Sequence, residues 1–206
     1  MRAEQIIRAA LVLSLAALAA CQTTGHTGTA EPVPKDTGSP DNPDPGGGGA
    51  MSKMTIASAA FAEGKEIPAL HTCQGSDVSP PLSWSGVPDK AKSLALIVDD
   101  PDAPDPRAPK MTWVHWVVYN IPASATGLAE GVQTLPEGAK SGLNDWKRTG
   151  WGGPCPPIGR HRYFHKLYAL DVVLPDLGQP AKADLERAMK GHVVAEAKLM
   201  GTYQKR

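Results

Sequence analysis

Aromatic side chains make up only 5% of the 206 residues, with just two phenylalanines, and the formal net charge is zero. No stretch interleaves basic and aromatic residues, so nothing offers a nucleic-acid surface, which needs a basic patch. There are three cysteines and no Cys-x-x-Cys pair, so the spacing of a structural zinc site is absent. No segment after residue 21 is apolar enough to cross a bilayer, which takes about 20 such residues. No Gly-x-Ser-x-Gly elbow marks a serine hydrolase, and no kinase or nucleotide-binding signature or internal repeat is present.

What is abundant is glycine and proline, 21 and 20 residues respectively. They divide the chain into three parts. Residues 1–20 carry Arg2 and Arg8 ahead of an apolar stretch, Ala9 to Ala20, broken only by Ser14. That is the anatomy of a signal peptide. It ends in Leu18-Ala19-Ala20-Cys21, the pattern of a bacterial lipobox, so Cys21 is the expected lipidation site and the first mature residue. Residues 21–53 are rich in Gly, Pro, Thr and Asp and read as a disordered tether. Residues 54–206 form one domain, large enough for a real core. Outside the signal peptide, 19 basic and 20 acidic side chains nearly balance. A lipoprotein signal places the domain on the periplasmic or outer face of a bacterial membrane. Gln22, in place of an aspartate after the cysteine, favours the outer membrane. In that oxidising setting Cys73 and Cys155 form either one disulfide or two buried thiols.

Short apolar runs between turn-forming clusters predict a mostly antiparallel β domain. Strands are expected at Thr55–Ala57, Leu82–Trp84, Ser93–Val98, Thr112–Asn120 and Arg162–Leu174. Strict alternation on the fourth places Trp113, His115, Val117 and Tyr119 on one face. On the last, His161, Tyr163 and His165 share one face, and Arg162, Phe164 and Lys166 share the other. Leu185, Met189 and Val193 at four-residue spacing predict a C-terminal helix from Ala183 to about Met200, with Gly201 as its stop.

Three segments carry the chemistry: Asp100-Pro101-Asp102-Ala103-Pro104, Trp113-Val114-His115-Trp116, and Gly153-Pro154-Cys155-Pro156-Pro157 leading to His161-Arg162-Tyr163. From the residues alone, the acidic pair is either a solvated turn or part of a site, and His115 is either a core histidine or a ligand. The ordered set resembles the phosphatidylethanolamine-binding protein family, in its bacterial YbhB/YbcL branch of Raf kinase inhibitor-like proteins, over about Met54 to Tyr203. The resemblance implies two packed antiparallel sheets with a few peripheral helices, and a pocket built from Asp100, His115, Pro156, Pro157, His161 and Tyr163, with Asp102 and Trp113 beside it. It departs at Trp146-Lys147, where that branch has a Phe-Gly or similar pair.

A mixed-sign pocket of this kind suits phosphate or a phospholipid head group. The histidines and Tyr163 would face the anionic end, with a charged His115 donating to it, and Asp100 and Trp113 would face a cation. Backbone N–H groups near Gly153 and Gly159 are expected to complete an anion nest. The expectation is a binding protein without a cofactor or metal that modulates a protein partner such as a kinase or protease. The alternative is a hydrolase or a metal site using the same Asp, His and Tyr groups. Asn144, Asp145 and Trp146 are expected to shape the approach to the pocket.

Overall fold

The computed structural model describes residues 53–206. The signal peptide, Cys21 and nearly all of the tether lie outside them. The described residues order as β1 (Thr55–Ala57), a single 3-10 turn (Ala69–His71), β2 (Leu82–Ser85), β3 (Ser93–Asp100), β4 (Trp113–Pro122), β5 (Gly127–Leu128), β6 (Lys140–Ser141), β7 (Arg160–Leu170), α1 (Lys182–Met189) and β8 (Val193–Gln204). One sheet has the order β1-β2-β5 and the other β6-β4-β3-β7-β8, every pairing antiparallel.

β3 is buried on both faces and reads as a continuous apolar run until its last two residues. Its even-numbered side chains, Leu94, Leu96 and Val98, join Trp116, Leu167 and Leu199 in a core shared with Ile56, Leu82 and Trp84 of the smaller sheet. Its odd-numbered ones, Ala95 and Ile97, face a second core with Val117, Tyr119, Leu185 and Met189, where α1 covers the large sheet. Asp99 therefore ends up under the helix, and Asp100 ends up inside the sandwich.

The C-terminal helix is shorter than its apolar spacing predicts. Leu185 and Met189 do form its buried stripe, but α1 stops at Met189. Gly191 takes φ +84°, the left-handed conformation that terminates helices. The chain then pairs with β7 along its whole length, from Val193 opposite Leu170 to Gln204 opposite Arg160. Gly201 is not a helix stop but a point of close approach within β8. A Cβ there would lie 2.6 Å from Ile67 and 2.8 Å from Phe61. Local helical spacing lost because β7, the inner strand of a large sheet, needed a partner edge.

Alternation along β4 also breaks. Val98 faces Trp116, while the next residue, Asp99, faces Val114. His115 is thus the extra residue of a β-bulge, which re-aims side chains and recurs beside functional sites. Val117 and Tyr119 lie in the helix-side core, on the face opposite the one His115 reaches. A second irregularity falls at Asn120, with φ +54°. It restores the phase, so that Ile121 returns to the sandwich interior.

Candidate functional site

Three loops close one end of the sandwich. The β3–β4 loop folds back on itself, with Lys110 N and Met111 N both donating to Ala103 O, at 2.9 and 3.2 Å. The second loop, residues 142–153, lies along β4: Gly152 N donates to His115 O at 3.0 Å, and Asp145 Oδ2 accepts from Val114 N at 2.8 Å. Within it, Asn144 Oδ1 accepts from the backbone of Trp146 and Arg148, winding a tight turn that presents Trp146. The third loop carries Cys155, Pro156 and Pro157. It is joined to the Cys73 loop by a Cys73–Cys155 disulfide.

These loops and the ends of β3, β4 and β7 enclose a cavity of about 390 Å³. Of the residues expected there, Asp100, Trp113, His115, Pro156, Pro157, His161 and Tyr163 all line it. Asp102 does not. Its carboxylate accepts from Arg162 Nε, Nη2 and backbone N at 2.7 to 2.9 Å. The guanidinium holds it below the usual carboxylate range. Asp102 fastens the loop to β7, so the two aspartates do not act together.

Trp146, expected only to shape the approach, is itself a wall of the cavity. Its ring lies edge-on to Trp113 and to His115, with centroids 5.4 and 5.2 Å apart. The signal was a tryptophan flanked by charged residues, Asp145 and Lys147. Gly152 makes room for it, since a Cβ there would come within 2.5 Å of the indole. The expected anion nest does not form at Gly153, whose N–H donates to Asp77 Oδ1 at 2.6 Å.

The protonation pattern follows from the partners. His161 Nε2 lies 3.0 Å from the Ile158 carbonyl, which can only accept, so that nitrogen carries a hydrogen. His161 Nδ1 is 2.7 Å from Asp100 Oδ2. A proton must sit between them, on either atom. Burial raises Asp100 above the normal carboxylate value, against the opposing hydrogen bond from His161.

His115 differs. Its Nδ1 donates to Gly152 O at 2.6 Å, and burial lowers its pKa to about 4. At neutral pH it is uncharged, and Nε2 is a bare lone pair. His115 is therefore an acceptor, where a charged donor was expected. Its Nε2, Tyr163 Oη and Trp113 Nε1 are all buried without a partner. Burial also pushes the Tyr163 phenol upward, keeping it a neutral O–H.

Native proteins leave few buried polar atoms unpaired, yet three of them line this one cavity. A larger cavity of about 690 Å³ lies along β1 and β8, and none of the unpaired buried atoms is on its wall. Among the described residues no group of three His, Cys, Asp or Glu is placed to hold a metal.

Two antiparallel sheets with a loop-walled cavity at one end define a β-sandwich binding protein. The chain belongs to the phosphatidylethanolamine-binding protein family, whose profile it matches over residues 57–204. It is 51% identical over 155 residues to a UPF0098 protein of Methanothermobacter thermautotrophicus, covering 74% of this chain and 99% of that one. A UPF0098 protein of Chlamydia trachomatis is 49% identical over 152 residues, with 74% and 99% covered. Among solved structures, a PEBP homologue of Chlamydia trachomatis aligns with a TM-score of 0.70 at 48% identity, covering 75% of this chain and 99% of that one. Escherichia coli YbcL, described as a member of the mammalian PEBP family, aligns with a TM-score of 0.69 at 33% identity, covering 75% and 100%. The matched region is nearly the whole of each of these proteins.

Proposed function

We propose that this is a non-enzymatic binding protein whose cavity takes a small phosphorylated head group with a primary ammonium, phosphoethanolamine being the type. The observation that carries this is the convergence of His115 Nε2, Tyr163 Oη and Trp113 Nε1, all buried and unpaired, on one cavity. The last two supply donors for phosphate oxygens, with Lys110 at the rim adding a cation. The neutral His115 and the Asp100–His161 pair supply acceptors for N–H groups. Aromatic rings of Trp113 and Trp146 complete the cationic side.

The cavity wall holds no serine or threonine, and Cys155 is spent in the disulfide, so no hydroxyl or thiol nucleophile of the Ser, Thr or Cys kind favours the hydrolase reading. With Cys21 lipidated, the domain would be tethered at a bacterial membrane on its periplasmic or outer side. A protein partner, such as a protease, would then be one outside the cytoplasm.

Calorimetric titration of the chain from Gln22 onward, with phosphoethanolamine, phosphocholine and inorganic phosphate, tests the reading. A quaternary ammonium has no N–H for His115 Nε2. Leaving that acceptor bare costs about 1–3 kcal/mol, so phosphocholine should bind roughly tenfold or more weakly than phosphoethanolamine. Equal affinities, or no saturable binding by the folded chain, would discard the head-group assignment.

A further inference from the structure

We infer that the rim of this cavity is a docking surface for an anionic lipid bilayer, so that the head group is taken from a lipid still seated in its membrane. The inference rests on the head-group reading of the cavity. The rim is apolar and exposed on all three loops: Met111 is 53% exposed, Trp146 40% and Ile158 52%. Met111 and Trp146 line the mouth, and Ile158 follows Pro157 of the same wall. Half of the exposed large hydrophobic residues described thus crowd one opening.

Cations surround them. Arg107, Lys110, Lys147 and Arg148 are exposed on the same loops. Of the four, only Arg148 has a carboxylate within ion-pair distance among the described residues, Asp77 at 3.5 Å. The acidic residues of these loops are engaged: Asp102 is paired with Arg162, Asp105 Oδ1 accepts from Arg107 N, and Asp145 Oδ2 accepts from Val114 N. Apolar side chains on loops that also carry these cations match the acyl boundary beneath a layer of anionic head groups.

Size gives a second argument. A cavity of about 390 Å³ holds a head group but leaves no room for two acyl chains. A phospholipid bound through its head group must keep its chains out of water, and a mouth pressed to the bilayer allows this without extraction. Lipidation at Cys21, where it occurs, would present the domain to such a surface.

The test uses the unlipidated chain from Gln22 onward, sedimented with vesicles of phosphatidylcholine alone or doped with phosphatidylglycerol, while tryptophan emission is followed. Preference for the doped vesicles is expected, with a blue shift as Trp146 leaves water. Ile158→Ser and Lys147→Glu lie outside the cavity wall. Each should weaken vesicle binding about tenfold, from one lost apolar anchor or one reversed charge. Both should leave titration with soluble phosphoethanolamine unchanged.

No partition to doped vesicles, or partition that both variants leave intact, overturns the docking surface even where phosphoethanolamine binds. So does indifference of vesicle binding to anionic lipid. Partition with the expected variant effects but no binding of soluble phosphoethanolamine would uphold the surface and discard the head-group reading.

Discussion

Asp99 and Asp100 are neighbours on β3, identical in chemistry and both buried, yet the sheet hands them opposite tasks. Asp99 faces α1. There Lys166 of β7 and Lys182 of α1 both bond its Oδ2, at 2.8 and 2.6 Å. Asp100 faces the sandwich interior, where its Oδ1 accepts from Asp102 N at 2.8 Å, its Oδ2 meets His161, and the cavity beside it holds three unpaired polar atoms. The first arrangement spends its charge on holding a helix to a sheet. In the second the reserve of polar capacity belongs to the cavity atoms around Asp100, whereas on the helix side it is limited to Asp99 Oδ1 itself. A buried carboxylate therefore says little until its partners are counted, and unpaired neighbours mark the functional face.

Acid should separate the two faces most. His115 and His165 lie only on the Asp100 side, and burial lowers both to about 4. A histidine whose folded pKa lies below its unfolded value near 6.5 takes up its proton more readily when unfolded. Stability is therefore lost as pH falls from about 6.5 towards about 4, by up to about 1.4 kcal/mol per pH unit for each histidine. Urea midpoints across that range check the slope. His165 has no partner at either ring nitrogen and packs against Trp151 and Phe61. His165→Phe should flatten the acid slope and leave neutral-pH stability nearly unchanged, as removal of unpaired polar groups allows.

Next in size is Asp99→Ala, which frees two lysines and loosens α1. It should cost about 2–3 kcal/mol in chemical denaturation, the scale of a hydrogen bond between charged groups. Phosphoethanolamine binding by the protein that remains folded should be unaffected. Asp100→Asn is the mirror experiment. It should weaken phosphoethanolamine roughly tenfold with a smaller stability loss, since one charge-assisted contact is worth about 1.5–3 kcal/mol. If Asp99→Ala weakens binding as much as Asp100→Asn does, or Asp100→Asn destabilises as much as Asp99→Ala, the division between faces fails.

The smallest effect concerns Lys147, which sits at φ +60° in the loop that presents Trp146. A non-glycine residue pays about 1–2 kcal/mol there, partly offset by the greater freedom of unfolded glycine. Lys147→Gly should raise stability by under about 1 kcal/mol in a thermal melt.

Much of this was legible beforehand. The strands at Thr55–Ala57 and Ser93–Val98 show because β-branched and apolar runs end at turn residues. The faces of β7 follow from simple alternation, with His161, Tyr163 and His165 buried in turn. The cavity residues were legible through the ordered motifs. What escaped were the pairings between segments that no motif announces. Nothing local distinguishes Asp102 from Asp100 until Arg162 is laid beside it. The bulge at His115 appears only when β4 is paired with β3.

The chain by itself determined where β1, β2, β3, β4 and β7 lie, which residues supply chemistry, and that glycine and proline would wall the site with stiff loops. These follow from backbone sterics and local hydrophobic pattern, which act over a few residues. Tertiary structure alone decided that the C-terminal segment is a strand, because an open sheet edge stabilises more backbone hydrogen bonds than one weak amphipathic helix. It also decided that His115 is a neutral acceptor, because protonation depends on the carbonyl of Gly152 and on exclusion of water. Both are set by residues distant in sequence, where no local pattern reaches.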